Sequence, residues 1–588
     1  MKTEWDFSEI KTDFKKERKK IEEVYESFRE KWINDKSYLE DPKKLKEALD
    51  EIEEISEKYS KGGNEGYFYW LNQELNQNDV EARKKFLKVE DFLIKQAHKV
   101  IFFSISLSKI SPEKQKEFLD NPLLKKYHRY LEELFLESKY ILSEKEEKVL
   151  DLKENTSYEM WVRMVSSLLA KETRESINEK GEKKEYTYEE LINLMRSEKK
   201  EVRFKAKIAF EEILQKYEEV AEFELNAVLE DAKIDDELRG YNFPDESRIK
   251  GDLIDEDFVN SLLDAVREKF SITRDFYHLK AKLMGEKKIG YFERSATIKK
   301  VEKEYPSQEA VNLVREVFGN LDKEFLEIFD RMLNTGKLDF FPKKGKRGGA
   351  FCVHFRRNQP VYVLLNHTGK LRDVAVIAHE MGHAINNEFM KKQSEIYYDA
   401  PLSTAEVAST FFEDFVYKKV FETLSDEGKF YLKIQKFEDD FSSIQRQIAL
   451  YLFEREIHKI YRDEGYLSKE KIGELFVKHM SEYLGEAVDM ENAHLWWIYW
   501  SHIRECFYVY SYASGLIISK AMQKKLREDK KFIEKVKTFL SSGTSKKPRE
   551  IFKEMGIEIN KEFFLEGLSE LEKELEEIKE IGKKLGKI

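Results

Sequence analysis

"VIAHEMGHAINNEF", Val376 to Phe389, sets two histidines four residues apart with a glutamate directly after the first. Residues four apart on a helix share a face, so His379 and His383 can reach one metal ion, with Glu380 beside it. An apolar face of Leu371, Val374, Ala375, Ala378 and Met381 supports the helix. Gly382 costs about 1 kcal/mol relative to alanine in mid-helix, and is expected to leave space beside the metal. The competing reading is an ordinary amphipathic helix with two solvated histidines. With only 11 histidines in 588 residues, His-Glu-x-x-His rarely arises by chance.

A catalytic zinc takes three protein ligands and keeps a fourth position for water, so a third ligand is required. Metzincin spacing would need Gly at 386 and His at 389, where Asn386 and Phe389 stand. Thermolysin and aminopeptidase spacings would call for a glutamate at 402 or 403, where the chain has Leu402 and Ser403. The first well-placed carboxylate is Glu406 in "STAEVAST", which opens a second expected helix. Two readings stand there: a metal ligand, or a capping box in which Ser403-x-x-Glu406 closes the helix start. Glu413, two turns further on the same face, can orient a histidine ligand or be a surface carboxylate.

"HEMGHAINNEF" followed by "AEVAST", with Glu406 27 positions after His379, resembles the thimet-oligopeptidase-like zinc peptidases, specifically their oligoendopeptidase F branch. "YTYEELINLMRSEKKEVRFKAKIAFEEIL" (Tyr186 to Leu214) and "FYVYSYASG" (Phe507 to Gly515) are similar to that branch as well. The resemblance implies a mostly α fold: a large prolate helical body with a deep substrate channel and one Zn²⁺ at its floor. It implies cleavage of short unstructured oligopeptides, with metal ligands His379, His383 and Glu406 and with Glu380 as general base on zinc-bound water. Many relatives carry a third histidine where this chain has Asn386; beside Glu406 that position is a poor ligand, and the metal assignment stands without it.

"WWIYWSHIRECFYVYSYASG", Trp496 to Gly515, is far more aromatic than the chain's 13% average. Trp496, Trp497 and Trp500 read as a buried helix. The resemblance implies that a histidine and two tyrosines from this region stabilise the oxyanion of the breaking amide, as His N–H and phenol donors can. His502 matches by its offset from "FYVY", and Tyr508 and Tyr512, i and i+4 on one helix face, are the preferred pair, leaving Tyr510 pointing elsewhere. Relatives have aromatics just after the histidine; here Arg504 and Glu505 replace them.

The rest of the chain fits a helical body. Hydrophobic residues make up 41% and charged residues 37%, mostly interleaved Lys and Glu, and nine prolines leave room for long helices. Ile21, Val24, Tyr25, Phe28 and Trp32 form one apolar stripe; Leu568, Leu571, Leu575 and Ile578 form another, expected to pack on the body. "GAFCVHF" (Gly349 to Phe355) and "PVYVLL" (Pro360 to Leu365) predict a small hairpin next to the histidine helix. Its "GGAF" resembles the family's substrate-binding strand, able to hold a peptide through backbone hydrogen bonds. "KKGKRGG" (Lys343 to Gly349) lacks the Walker pattern and reads as a mobile loop. The polar "SINEKGEKKE" (Ser176 to Glu185) is the best boundary, dividing a helical N-terminal region, 1–185, from a zinc peptidase catalytic domain, 186–588.

A net charge of −11 without a basic stripe argues against a nucleic-acid partner. Two cysteines exclude a disulfide scaffold and favour a reducing, cytoplasmic setting. The first residues lack a signal-peptide apolar core, and no run of 18 apolar residues predicts a membrane span. The expected partners are oligopeptide substrates; the sequence does not fix the oligomeric state. The rivals are a zinc carboxypeptidase on a similar body, which needs a group for the substrate's free carboxylate, and a non-catalytic helical peptide-binding protein. The intact Glu380 counts against the second.

Overall fold

The computed structural model describes residues 1–588, apart from the side chains at positions 62, 144 and 148. Helices dominate because the Lys/Glu-rich sequence supplies long runs without breakers. The longest, Lys200–Arg239, runs 40 residues and stops at Gly240, whose φ of +81° is the left-handed conformation that ends a helix. Helix Phe14–Trp32 begins where the Asp13 carboxylate accepts the Lys16 N–H, and it buries Ile21, Tyr25, Phe28 and Trp32. These side chains join Tyr38, Phe103 and Leu131 in a core of their own. A larger core runs from Val165 to Ile578 and contains the apolar face of the histidine helix.

The expected hairpin is present and has a third member. Phe351–Val353 pairs antiparallel with Tyr362–Leu364, and Leu338–Asp339 lies parallel on the other side of Tyr362–Leu364. The first residues of the chain cover this sheet: the Trp5 indole donates to the Val363 carbonyl at 2.9 Å. The Tyr67 hydroxyl lies 3.1 and 3.0 Å from the carbonyls of Val353 and Pro360. Phe351–Val353 is left as an edge strand against the histidine helix, where Asn387 Nδ2 donates to Cys352 Sγ at 3.4 Å.

Two segments differ from expectation. The polar boundary is itself a hairpin, Thr173–Ile177 with Lys183–Thr187. Its turn closes on Asn178 Oδ1, which accepts the N–H groups of Lys180 and Glu182 at 2.8 and 2.9 Å. Most of its residues face solvent, so no apolar alternation announces the strands. The basic glycine-rich loop, expected to be mobile, is anchored. Lys346 is buried and donates to Asp339 at 2.6 Å and to the Phe341 carbonyl at 2.8 Å. Lys343 pairs with Glu4 at 3.0 Å and Arg347 with Glu74 at 3.1 Å, so three of the loop's four cationic side chains are matched by carboxylates.

The terminal helix, Lys561–Lys584, buries Leu568, Leu571, Leu575 and Ile578 against helices Glu256–Glu268, Asp426–Phe441 and Tyr510–Glu528. A buried ionic lattice ties these elements to helix Leu402–Glu422. Lys520 Nζ lies 2.9 Å from Asp440 and 3.0 Å from Glu574, and Lys436 Nζ lies 2.7 Å from Asp414. Removing one member of such a set strands a buried charge, at a cost of about 3–5 kcal/mol. Among the described residues no helix is long and apolar enough to cross a membrane.

Candidate active site

Three helices make the site: the histidine helix Leu371–Met390, the glutamate helix Leu402–Glu422 between its neighbours, and the tyrosine helix Tyr510–Glu528. Two glycines set their spacing. A Cβ on Gly382 would stand 2.7 Å from Ser409 Cα and 2.9 Å from the Ala408 carbonyl oxygen. One on Gly515 would stand 2.8 Å from Glu406 Cβ. The space beside Gly382 is therefore filled by the backbone of the glutamate helix, not left open for the metal as expected.

That close packing brings the three candidate ligands together. Glu406 Oε2 lies 3.4 Å from His379 Nε2 and 3.7 Å from His383 Nε2, and the three ligand atoms are all within 4.8 Å of one another. A tetrahedral zinc with bonds of ~2.0–2.1 Å holds its ligand atoms about 3.3–3.4 Å apart, so the donor set fits with little movement. The capping box does not form: the glutamate helix starts after Pro401 with no side-chain cap, and Ser403 Oγ instead contacts the Asp252 carbonyl at 3.5 Å. Glu406 accepts from Ser409 Oγ at 2.8 Å. Asn386 is turned away and donates to the Leu540 carbonyl at 2.8 Å. Glu413 Oε2 lies 2.8 Å from His379 Nδ1, which aims the other ring nitrogen at the shared point.

Electrostatically the cradle asks for positive charge. Burial pushes the Glu406 carboxyl up, but its hydrogen bond to His379 and the charge of both imidazoles bring it down to about 2. Burial also opposes charge on His379, yet Glu406 and Glu413 together hold its imidazolium well above the usual range. Burial takes His383 down to about 4, leaving a neutral ring with a free lone pair. Glu380 is the exception among the carboxylates: burial, with Glu406 and Glu413 adding repulsion, raises it to about 7 against the pull of His379 and the Cys352 N–H. A carboxylate poised near neutrality suits a general base.

The aromatic segment is not the helix expected of it. Ala493–Ile498 and Ser501–Arg504 are 3₁₀ turns, and the regular helix begins only at Tyr510. Between them Cys506 and Phe507 both have positive φ, +37° and +64°, a costly state for side chains of this size. His502, Tyr508 and Tyr512 nevertheless meet. The His502 and Tyr508 rings stack at 5.7 Å, and Tyr512 lies 6.3 Å from the first and 5.8 Å from the second. Tyr508 stands just ahead of the helix start and Tyr512 within it, and the kinked Cys506–Phe507 step carries the chain from His502 to this pair. Tyr510 is buried and donates to Asp252 at 2.6 Å, and Trp496, Trp497 and Trp500 are core.

Arg504, which departs from the relatives' aromatics, is a buried anchor. It pairs with Glu224 of the long helix at 2.7 Å and donates to the carbonyls of Trp497 and Trp500 at 2.8 and 3.0 Å. The 3₁₀ turns are thus clamped from below by charge.

Two cavities that share His379, Glu413 and Asp439 in their walls lie at the cradle. The smaller, about 260 Å³, has His379, Glu406, Glu413 and Tyr512 in its wall. Of the three aromatic candidates, Tyr512 shares this wall with His379 and Glu406, and His502 and Tyr508 pack on Tyr512. The larger, about 450 Å³, opens beside His379 and Glu380 and is walled by Arg196, Arg372, Asp439 and Arg446. Arg196 stands in the Tyr186–Leu214 segment and Arg372 on the histidine helix, but no motif singles out any of the four, and sequence reading passes over them.

A model of peptidase family M3 matches residues 193–569, and one described as oligopeptidase F matches residues 107–171. The chain belongs to peptidase family M3. Within this M3 family the chain falls on the oligoendopeptidase F branch: the oligoendopeptidase F homolog of Borreliella burgdorferi is 25% identical over 97% of this chain and 94% of its own length. The solved structure of a Chlamydophila abortus protein has the same fold, with a TM-score of 0.86 at 23% identity over 98% of both chains. Oligoendopeptidase-F from Enterococcus faecium superposes with a TM-score of 0.72 at 17% identity, over 97% of this chain and 99% of that one. This M3 protein is a metalloendopeptidase of the oligopeptidase type, mostly α, with a His/His/Glu cluster able to bind a metal.

Proposed function

We propose that the metal is one Zn²⁺ held by His379, His383 and Glu406, and that the enzyme hydrolyses short unstructured oligopeptides at internal bonds. The spacing of Glu406 from the two imidazole nitrogens carries this reading, because it matches the edge of a zinc tetrahedron. When bound, zinc supplies a Lewis acid for the scissile carbonyl and lowers the pKa of water. Glu380 takes the proton of the attacking water and delivers it to the leaving amine. Tyr512, backed by His502 and Tyr508, donates to the oxygen on which negative charge develops. The edge of Phe351–Val353 that no other strand covers aligns the peptide backbone, which reads no sequence.

The two neighbouring cavities support a channel that admits an extended chain and excludes folded domains. The catalytic domain spans 186–588 on a helical N-terminal region, 1–185. The unpaired Cys352 and Cys506 suit a reducing, cytoplasmic setting. Metal analysis joined to mass spectrometry of digested peptides tests the whole. Wild type should hold one zinc per chain and cut peptides internally while sparing a native globular protein, and Glu406→Ala should lose the metal with its helical signal intact. Full zinc occupancy in that variant would remove Glu406 from the ligand set.

A further inference from the structure

The larger cavity holds charge that the chemistry above leaves unused. Arg196, Arg372 and Arg446 line it, and among the described residues none has a carboxylate oxygen within 4.0 Å. Two of the acidic groups in the same wall are otherwise engaged. Glu413 is bonded to His379, and Glu438 takes both its oxygens to the buried Lys280 at 2.8 Å. Burial raises the Asp439 carboxyl, while the charges of Arg372, Lys436 and Arg196 pull it the other way without either arginine coming within 4.0 Å of it. Arg196 and Arg372 are exposed and hydrated at the cavity mouth, while Arg446 is half-buried, and an incoming anion gains charge-assisted hydrogen bonds from its guanidinium.

Arg446 is the most constrained of the three. It closes a π-helical turn, Ser442–Arg446, a departure from α geometry that often marks functional sites. Its guanidinium stacks over Trp500 at 4.9 Å, and its buried Nε has no hydrogen-bond partner. Trp500 in turn lies 5.7 Å from the His502 ring, and after burial the Arg446 charge is what keeps that imidazole neutral. The arginine thus stands within reach of both Glu380's side of the cradle and the oxyanion group.

We propose that Arg446, with Arg372 and Arg196 at the rim, receives a carboxylate of the bound peptide and so makes this enzyme selective for acidic substrates. The carboxylate is either the free C-terminus, which would set how far from the end a peptide is cut, or an Asp or Glu side chain. The inference rests on the peptidase reading above and names the substrate group for that same site.

The test compares three matched quenched peptides: free acid, C-terminal amide, and amide with one internal glutamate. Wild type should show a KM for the neutral amide roughly 10- to 100-fold above that of the peptide carrying the recognised carboxylate, the worth of one charge-assisted hydrogen bond. Arg446→Gln should bring that ratio toward one, and Arg446→Lys should restore part of it. A purely structural Arg446, supporting Trp500 and His502, would lower kcat for all three peptides alike and leave the ratio intact, which overturns the proposal. Equal KM values in wild type would also overturn it. Dissociation constants of the same peptides on Glu380→Gln separate the two readings. Arg446-dependent binding of the acid peptide with no cleavage by zinc-loaded wild type would uphold carboxylate recognition and refute the peptidase assignment.

Discussion

The metal cradle and the aromatic segment do neighbouring jobs but are built in opposite ways. The cradle is two regular helices pressed together at Gly382 and Ser409, and its ligand geometry follows from helical spacing and one close contact. The aromatic segment is short 3₁₀ turns, two residues at positive φ and a late helix start, held by the buried Arg504–Glu224 pair and by Glu454. Glu454 Oε1 accepts the Phe507 N–H at 3.0 Å and so supports the strained step just before Tyr508. Regular structure suffices where two or three ligands must converge on a point. Irregular structure is needed where donors must reach over a substrate from another element, and its strain has to be offset by buried polar anchors.

The comparison predicts that damage to the cradle acts on chemistry and damage to the aromatic segment acts on chemistry and stability together. The largest effect should come from Glu380→Gln, which keeps zinc and loses roughly 10²–10⁴-fold in kcat, the usual worth of a general base. Near-normal turnover in a metal-loaded preparation would end the assignment of Glu380.

Next comes Tyr512→Phe, which removes one hydroxyl and keeps the ring. Loss of one oxyanion donor lowers kcat and kcat/KM together by ~10²–10³-fold, with KM little changed. Tyr510→Phe is the contrast: it strips Asp252 of a buried partner, so it should cost about 1–3 kcal/mol of stability and leave turnover of the folded enzyme alone. Steady-state kinetics and melting curves on the two variants decide it; if they exchange behaviours, the wrong tyrosine has been placed at the oxyanion.

The smallest effect is a pH dependence in the anchor. Burial raises the Glu454 carboxyl to about 8 against the pull of the Phe507 N–H. Its folded value lies above the unfolded one, so the folded state binds more protons between the two. Its stabilising contribution is complete below about pH 4.5 and is lost as pH rises through about 8. Glu454→Gln keeps an acceptor for Phe507 without the ionisation. It should melt higher than wild type at pH 8, with the gap closing as pH falls toward 5. An equal gap at both values would mean that Glu454 does not carry this proton.

Much of the site was written locally. His379, Glu380 and His383 follow from one helical turn, and Glu406 was the first carboxylate on the next helix able to reach them. Whether Glu406 caps its own helix or lies beside the imidazoles was a question of how two helices lie against each other, and the close contacts at Gly382 and Gly515 place it beside them, uncapped. Tyr508 and Tyr512 meet as the spacing expected, although Tyr508 lies just ahead of the helix; what the spacing could not show is the kink at Cys506 and Phe507 that brings His502 to them.

The sequence by itself determined the helical class, the histidine motif, the hairpin beside it and the family resemblance, because periodicity and motif spacing act over a few residues. Only the tertiary structure decided that the polar boundary is a hairpin, that the basic loop is pinned by Asp339, and that Arg504 is a core anchor. It alone gathered Arg196, Arg372 and Arg446 around one cavity. Those outcomes depend on burial and on partners tens to hundreds of residues away, and a buried charge is costly enough that its distant partner, rather than its neighbours in sequence, fixes where it goes.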